Sequence, residues 1–305
     1  MKHRKARNDV TAQWVGRWAS GFTRLHLGDF VAARALLEQC HGLADPALRR
    51  HGVRGLHAML PASLGMTLAH LGYIDQARSR LNEALLEARQ LRHAQTLAEV
   101  LSSESTIDLI TRSPEMQRHV EELLALSAEH GLPFYLAWAT ALRGMSLAAL
   151  GQGQEGPSLI TRGIAGMRAT GSVSGTPGAL VMLARAYAMV GQPADGLNCL
   201  AEAARIIETT EDRMGEAALH RVRGDLLNAT GDRSAAERSY HQALAVARLQ
   251  SAKLFELRTS ISLARLWCKQ DRRGEARDLL APIYGWFTEC FDRKEAKALL
   301  DELHA

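Results

Sequence analysis

Apolar and small residues return along this chain with a helical period, and the pattern itself recurs about every 40 residues. In Gly65-Met66-Thr67-Leu68-Ala69-His70-Leu71-Gly72-Tyr73-Ile74-Asp75-Gln76-Ala77, a small residue, a turn glycine and a second small residue are separated by seven and five positions; Leu81 and Ala84-Leu85 follow. The same spacing holds at Gly144, Gly151 and Gly156, at Ala184, Gly191 and Gly196, at Gly224, Gly231 and Ala236, and at Ala264, Asp271 and Ala276. Gly21, Gly28 and Ala33 give a further match near the start. The unit between Leu97 and His130 diverges, and its turn is expected at Ser113-Pro114.

The spacing describes a helical hairpin. The first small residue lets helix A approach helix B, the turn glycine ends helix A with a positive φ, and the second small residue lies where the chain returns. Apolar anchors fill corresponding positions: Leu68, Leu147, Tyr187, Leu227 and Trp267 on A helices, Leu81, Ile160, Leu200, Tyr240 and Leu280 on B helices. One hairpin cannot bury both of its apolar faces, whereas stacked hairpins can. The pattern therefore predicts seven hairpins, turning near residues 28, 72, 113, 151, 191, 231 and 271, and a capping helix over residues 294–303. In that last helix Ala296, Leu299, Leu300 and Leu303 should pack inward, with Lys294, Glu295, Lys297, Asp301 and Glu302 toward solvent. No alternating run bounded by hairpin turns suggests a strand.

Composition supports this picture. The 305 residues are 47% hydrophobic but only 5% aromatic, which suits closely packed helices. The net charge of +4 is concentrated at the start, where Lys2, Arg4, Lys5 and Arg7 face only Asp9, so residues 1–10 are expected to be a basic flexible arm and 11–305 the repeat domain. An arm of this kind is a solvated terminus before it is a nucleic-acid contact, and no specific nucleic-acid site is expected. Neither a secretory leader nor a membrane span is expected, since Ala179 to Val190 is short and broken by Arg185; the expected location is cytoplasmic. Cys40, Cys199, Cys268 and Cys290 are too scattered for a zinc or redox motif and read as reduced, packed residues.

With the repeats aligned, the chain closely resembles the tetratricopeptide-like C-terminal region of bacterial multidomain signalling ATPases, which are often associated with an adenylate or guanylate cyclase domain. The resemblance is carried by residues 131–138 (GLPFYLAW), 141–144 (ALRG), 148–153 (AALGQG) and 216–227 (EAALHRVRGDLL), then by 262–267 (SLARLW), 280–289 (LAPIYGWFTE) and 294–303 (KEAKALLDEL). It spans nearly the whole chain, and departs from the family at Cys290, where glycine is usual, and in a shortened stretch after Phe291-Asp292. The fold implied is all-α, a right-handed superhelical solenoid of about seven tetratricopeptide-like hairpins plus the C-terminal cap. The function implied is a sensing or protein-interaction module beside an ATPase. The chain itself has no Gly-rich phosphate loop ending in Gly-Lys-Ser/Thr, and no cofactor is expected.

Other motifs dissolve on inspection. Residues 151–156 (GQGQEG) have the glycine spacing of a dinucleotide loop but follow a helix instead of a strand. The Asn228-Ala229-Thr230 acceptor matters only in an exported protein. The histidines do not pair at i, i+4 as zinc ligands do, Gly171-Ser172-Val173-Ser174-Gly175 is no nucleophile elbow, and acid pairs such as Glu121-Glu122 or Glu211-Asp212 define no catalytic dyad. Neither catalysis nor a built-in metal site is expected.

In a tetratricopeptide hairpin, positions 2, 5, 9, 12 and 13 of helix A face the concave groove, with the small residue as position 8. The C-terminal hairpins place Arg185, Arg221, Asp225, Asn228, Arg258, Arg265 and Lys269 there; the others place Trp18, Phe22, Met59, Met66, Trp138 and Met145. One end is thus expected to be basic and polar, the other apolar, suited to a partner protein or peptide with an acidic segment, or to a small anionic ligand with an apolar tail. The competing reading is that Arg221 and Asp225 merely satisfy one another at i, i+4 and that Trp138 and Met145 are core. The expected function is a non-catalytic interaction or regulatory module of a bacterial signalling system that binds a partner on its concave face. The alternative is a small-molecule sensor domain of a transcriptional or cyclase regulator.

Overall fold

In the computed structural model, described over residues 10–42, 55–151, 155–288 and 291–304, all regular structure is helical. Of the basic arm only Val10 falls within these residues; most of the loop after Gly151 and Cys290 lie outside them. Fifteen helices occur among the described residues. They are α1 (Val10–His26), α2 (Phe30–Gly42), α3 (Leu56–Leu71), α4 (Ile74–Leu91), α5 (Ala94–Thr111), α6 (Met116–Glu129), α7 (Pro133–Ala149), α8 (Glu155–Ala169), α9 (Thr176–Met189), α10 (Pro193–Thr210), α11 (Glu216–Ala229), α12 (Arg233–Leu249), α13 (Lys253–Cys268), α14 (Arg273–Trp286) and α15 (Phe291–His304). They pair in order into seven hairpins that stack as a right-handed solenoid, with α15 at the end.

The hairpins turn where the glycine spacing places them. Gly72 takes φ 95°, and its N–H together with that of Tyr73 closes α3 onto the carbonyls of Ala69 and Leu68. At the equivalent point of the last hairpin Asp271 holds φ 61° without glycine. The divergent third hairpin turns at Arg112-Ser113, where the Ser113 N–H reaches Asp108 O at 2.8 Å. Pro133 and Pro193 open α7 and α10, where a missing N–H costs nothing.

Where the first small residue is glycine, it packs against the B-helix anchor sixteen positions on. A methyl group built at Gly65 would stand 2.7 Å from Leu81, at Gly144 2.8 Å from Ile160, and at Gly224 2.5 Å from Tyr240. All five B-helix anchors are buried, as are Leu68 and Trp267 on A helices; Leu147, Tyr187 and Leu227 remain half-buried. In α15 Ala296, Leu299, Leu300 and Leu303 pack inward as expected, but Glu295 does not face solvent freely. It pairs with Arg265 at 2.6 Å and Arg112 at 3.2 Å.

The solenoid completes a superhelical turn and lies edge on edge upon itself. Backbone N–H groups of Arg213 and Met214, in the loop before α11, donate to the carbonyl of His26 at the first turn, at 2.8 and 3.1 Å. Leu25, Phe30, Ala33 and Leu71 share one buried cluster with Ala217, Ala247, Ala252 and Phe255. Tyr73 meets Trp286 edge-on, and Arg258 of α13 donates to the carbonyl of Ile110 in α5. The turn ends of the first three hairpins thus rest on the loop ends of the last ones, and the concave groove becomes a channel that stays partly open to solvent.

Candidate functional site

The channel contains a chamber of about 460 Å³ whose walls come from the seven A helices and the loops that lead into them. Each A helix contributes through the face opposite its B helix. Phe22, Met59 and Met66 line the chamber from α1 and α3, Trp138 from α7, and Val181 and Met182 from α9. Phe255 of α13 completes the apolar wall, while hydroxyls of Ser102, Ser103 and Thr106 on α5 and of Ser172 and Ser174 form a polar rim. A mostly apolar cavity of this volume, with a few convergent polar groups, has the proportions of a small-ligand or peptide site.

At its C-terminal end the chamber is bounded by Arg185, Arg221 and Arg258, which also line an adjoining polar vestibule of about 250 Å³. The vestibule holds five arginines, Arg112, Arg185, Arg221, Arg258 and Arg265, against three carboxylates, Asp225, Asp292 and Glu295. Each carboxylate is already engaged. Asp225 accepts from Arg221 at 2.6 Å and from the Tyr240 hydroxyl at 2.8 Å. Asp292, buried at the start of α15, accepts from Arg258 Nε and Nη2 at 3.1 and 2.7 Å. Glu295 holds Arg265 and Arg112.

Arg185 makes no ion pair or hydrogen bond with any described residue. Burial, then repulsion from Arg221, Arg258 and Arg112, pushes its pKa down to about 9, and nearby Asp225 only partly compensates. Burial likewise pushes the His70 imidazole of the seam down to about 4, so it is neutral at pH 7, packed between Phe30 and Phe255 with Nδ1 2.8 Å from Met66 O. Two donors at the chamber wall lack partners: the indole N–H of Trp138, a residue only 9% exposed, and the Nε–H of Arg221.

The residues singled out from sequence divide among three places. Trp138, Arg185, Arg221 and Arg258 bound the apolar chamber. Arg185, Arg221, Asp225, Arg258 and Arg265 meet in the vestibule. Asp225, Asn228, Arg265 and Lys269 line a third cavity of about 490 Å³ against α15. Met145 reaches none of them: it is 1% exposed within the main core, so only the first half of α7 faces the channel. Arg221 and Asp225 do satisfy one another at i, i+4, as the competing reading had it. Sequence reasoning missed Asp292, Glu295 and Arg112, because their roles depend on contacts across the seam or from the terminal helix.

A second polar cluster was also missed. Glu104, Asp108 and His119, all buried between α5 and α6, bring potential ligand atoms within 4.8 Å of one another. Both histidine nitrogens are engaged, Nδ1 with Asp108 at 2.7 Å and Nε2 with Arg118 at 2.8 Å, and Arg78 stands 3.9 Å from Asp108. A metal ion would have to replace the His119 Nδ1–Asp108 contact, and the ion pairing among the described residues runs His119–Asp108–Arg78 beside Glu104. Burial pushes the Glu104 carboxyl up to about 7, and one of its oxygens has no hydrogen-bond partner.

A tetratricopeptide repeat family model matches residues 14–39 and 177–202, the first hairpin and the fifth. Three solved structures superpose over 95% of the chain with a TM-score of 0.58. The chain folds as a tetratricopeptide-like solenoid. The structures are the apo form of RapI, 13% identical and covered over 99% of its length, and aspartyl phosphate phosphatase F from Bacillus subtilis, 12% identical and covered over 74%. The third is NprR in complex with its cognate peptide NprX, 14% identical and covered over 82%. Identities this low establish the shared architecture alone. No curated protein sequence matches this tetratricopeptide-like solenoid, and among its described residues no helix is long and apolar enough to cross a membrane.

Proposed function

We propose that the solenoid is a non-catalytic recognition module of a signalling system, and that its ligand occupies the central channel. The observation that carries this reading is the chamber walled by A helices, apolar along its length and bounded at one end by three arginines. The preferred occupant is a peptide segment of a partner protein, its apolar side chains against Trp138, Met59 and Met66 and its acidic part toward Arg185, Arg221 and Arg258. NprR, with the same fold, is known in complex with a peptide, which supports the choice. The segments that carry the family resemblance support the finer reading, the sensing region of a bacterial signalling ATPase that acts in the cytoplasm. The alternative, a small-molecule sensor, is favoured by the chamber's modest volume.

Both readings put the ligand in one place, which a plug can test. Ala218 of α11 is half-buried on the chamber wall, and a tryptophan there would fill the space. Peptides selected from a random display library against the whole chain should bind wild type and a variant at exposed Arg233 of α12, Arg233→Ala, alike, and lose at least tenfold in affinity for Ala218→Trp. Equal binding by all three would place the site elsewhere.

A further inference from the structure

We propose that the basic end of the chamber is a site for a single carboxylate borne on an apolar tail, a fatty-acid-like amphiphile whose head pairs with Arg185 and whose chain lies along Trp138, Val181 and Met182. The inference rests on the reading that the channel is the ligand site, and takes its small-molecule form.

Charge sets the head group. Within the vestibule every carboxylate is already bonded to an arginine: Asp225 to Arg221, Asp292 to Arg258, and Glu295 to Arg265 and Arg112. Among the described lining residues five arginines face three carboxylates, and Arg185 is the one with no ion pair. Arg185 is half-buried and lines both cavities; a cation partly withdrawn from water and without a partner is destabilised, and an anion that enters relieves it. Arg185 presents a planar fork that matches a carboxylate at the end of the chamber that Arg221 and Arg258 also line.

The walls set the tail. A peptide brings an N–H and a C=O with every residue, and each must find a partner once water is excluded. The polar side chains of the lining are gathered at Ser63, on the α5 face, in the loop before α9 and at His26 and Asp212, whereas Trp138, Val181, Met182, Met214 and Phe255, next to the arginines, offer apolar surface. A hydrocarbon chain makes no such demand.

Sodium octanoate, 1-octanol and octyltrimethylammonium chloride, matched in ionic strength, serve as probes by calorimetric titration and thermal unfolding of the whole chain. Octanoate should bind and raise the melting temperature. The alcohol should bind at least tenfold more weakly and the cation not at all, as loss of a charge-assisted hydrogen bond requires. Arg185→Met should lower octanoate affinity at least tenfold and leave octanol unchanged, with Arg185→Lys in between. Without ligand, Arg185→Met should melt several degrees higher than wild type, because an uncompensated charge has been removed. That last measurement also shows that the variant folds. Octanol binding as tightly as octanoate, or octanoate binding unaltered in Arg185→Met, would overturn the carboxylate site and leave the channel reading standing. So would selected peptides that occupy the chamber while octanoate does not. Binding of octanoate to Ala218→Trp as to wild type would overturn both.

Discussion

At the residue scale the protein spends its polar groups unevenly. Glu104 is 6% exposed, and the charged groups that face it are His119, Asp108, Arg78 and Arg118. Burial is the largest influence and raises its pKa from the usual carboxylate value to about 7, so between pH 4.5 and 7 the folded state holds a proton that the unfolded chain has released. Stability from this group is therefore full below about pH 4.5, falls as the pH rises toward 7, and stays lost above it. Glu104→Gln, uncharged at every pH, should flatten the melting temperature's dependence across that window. Above pH 7 it should stabilise the fold by a few kcal/mol at most, since each pKa unit corresponds to about 1.4 kcal/mol. Chemical denaturation of both proteins at pH 5 and pH 8 checks this; the same difference at both would contradict the assignment.

At the scale of elements, close approach of A and B helices is what the repeat pattern encodes. A methyl group at Gly224 would strike the Tyr240 ring at 2.5 Å, and Tyr240 cannot retreat because its hydroxyl is tied to Asp225 and its ring is buried. Gly224→Ala should therefore destabilise the protein by about 1–3 kcal/mol despite the better helix propensity of alanine. Gly285, near the end of α14, has nothing within 4 Å of such a methyl group, and Gly285→Ala should stabilise by up to about 1 kcal/mol. Denaturant titration of the pair gives opposite signs if packing, and not propensity, fixes the small positions. The turns and anchors of these hairpins were legible from spacing, because i, i+7 and i, i+16 relations act within one unit. The concave positions followed from the same register once the groove positions of a tetratricopeptide hairpin were laid on it, which singles out Trp138, Arg185, Arg221 and Arg258. Met145 could not be placed this way, since its burial depends on how α7 sits among neighbouring hairpins.

At the scale of the molecule, closure of the superhelix turns an open groove into a chamber. Its seam combines the Leu25–Phe30–Phe255 cluster, the His26 carbonyl with its two N–H donors, and the Arg258–Asp292 pair. Asp292 is buried, and its removal leaves Arg258 without a counter-ion. Asp292→Ala should cost about 3 kcal/mol or more in stability, as breaking a buried pair does. It should also loosen α15 and the third hairpin together, since Asp292 stands 3.8 Å from Arg112 as well. Amide exchange would register the loosening as faster exchange at residues 109–113 and 291–296; acceleration at α15 alone would mean that the seam does not depend on this pair.

The sequence by itself determined the all-helical class, the register of seven hairpins, their turn residues and the face each A helix turns inward. Those features repeat within about 40 residues, and the steric demands of glycine, small residues and apolar anchors fix them locally. Only the tertiary structure decided that the two ends of the solenoid meet and that Asp292 and Glu295 of the last helix pair with Arg258, Arg265 and Arg112. It alone showed that Arg185 is left without a partner and that Glu104 is buried beside His119. Those outcomes join residues from distant hairpins. They depend on the small rotation between successive hairpins, summed over a whole turn, which no single unit records.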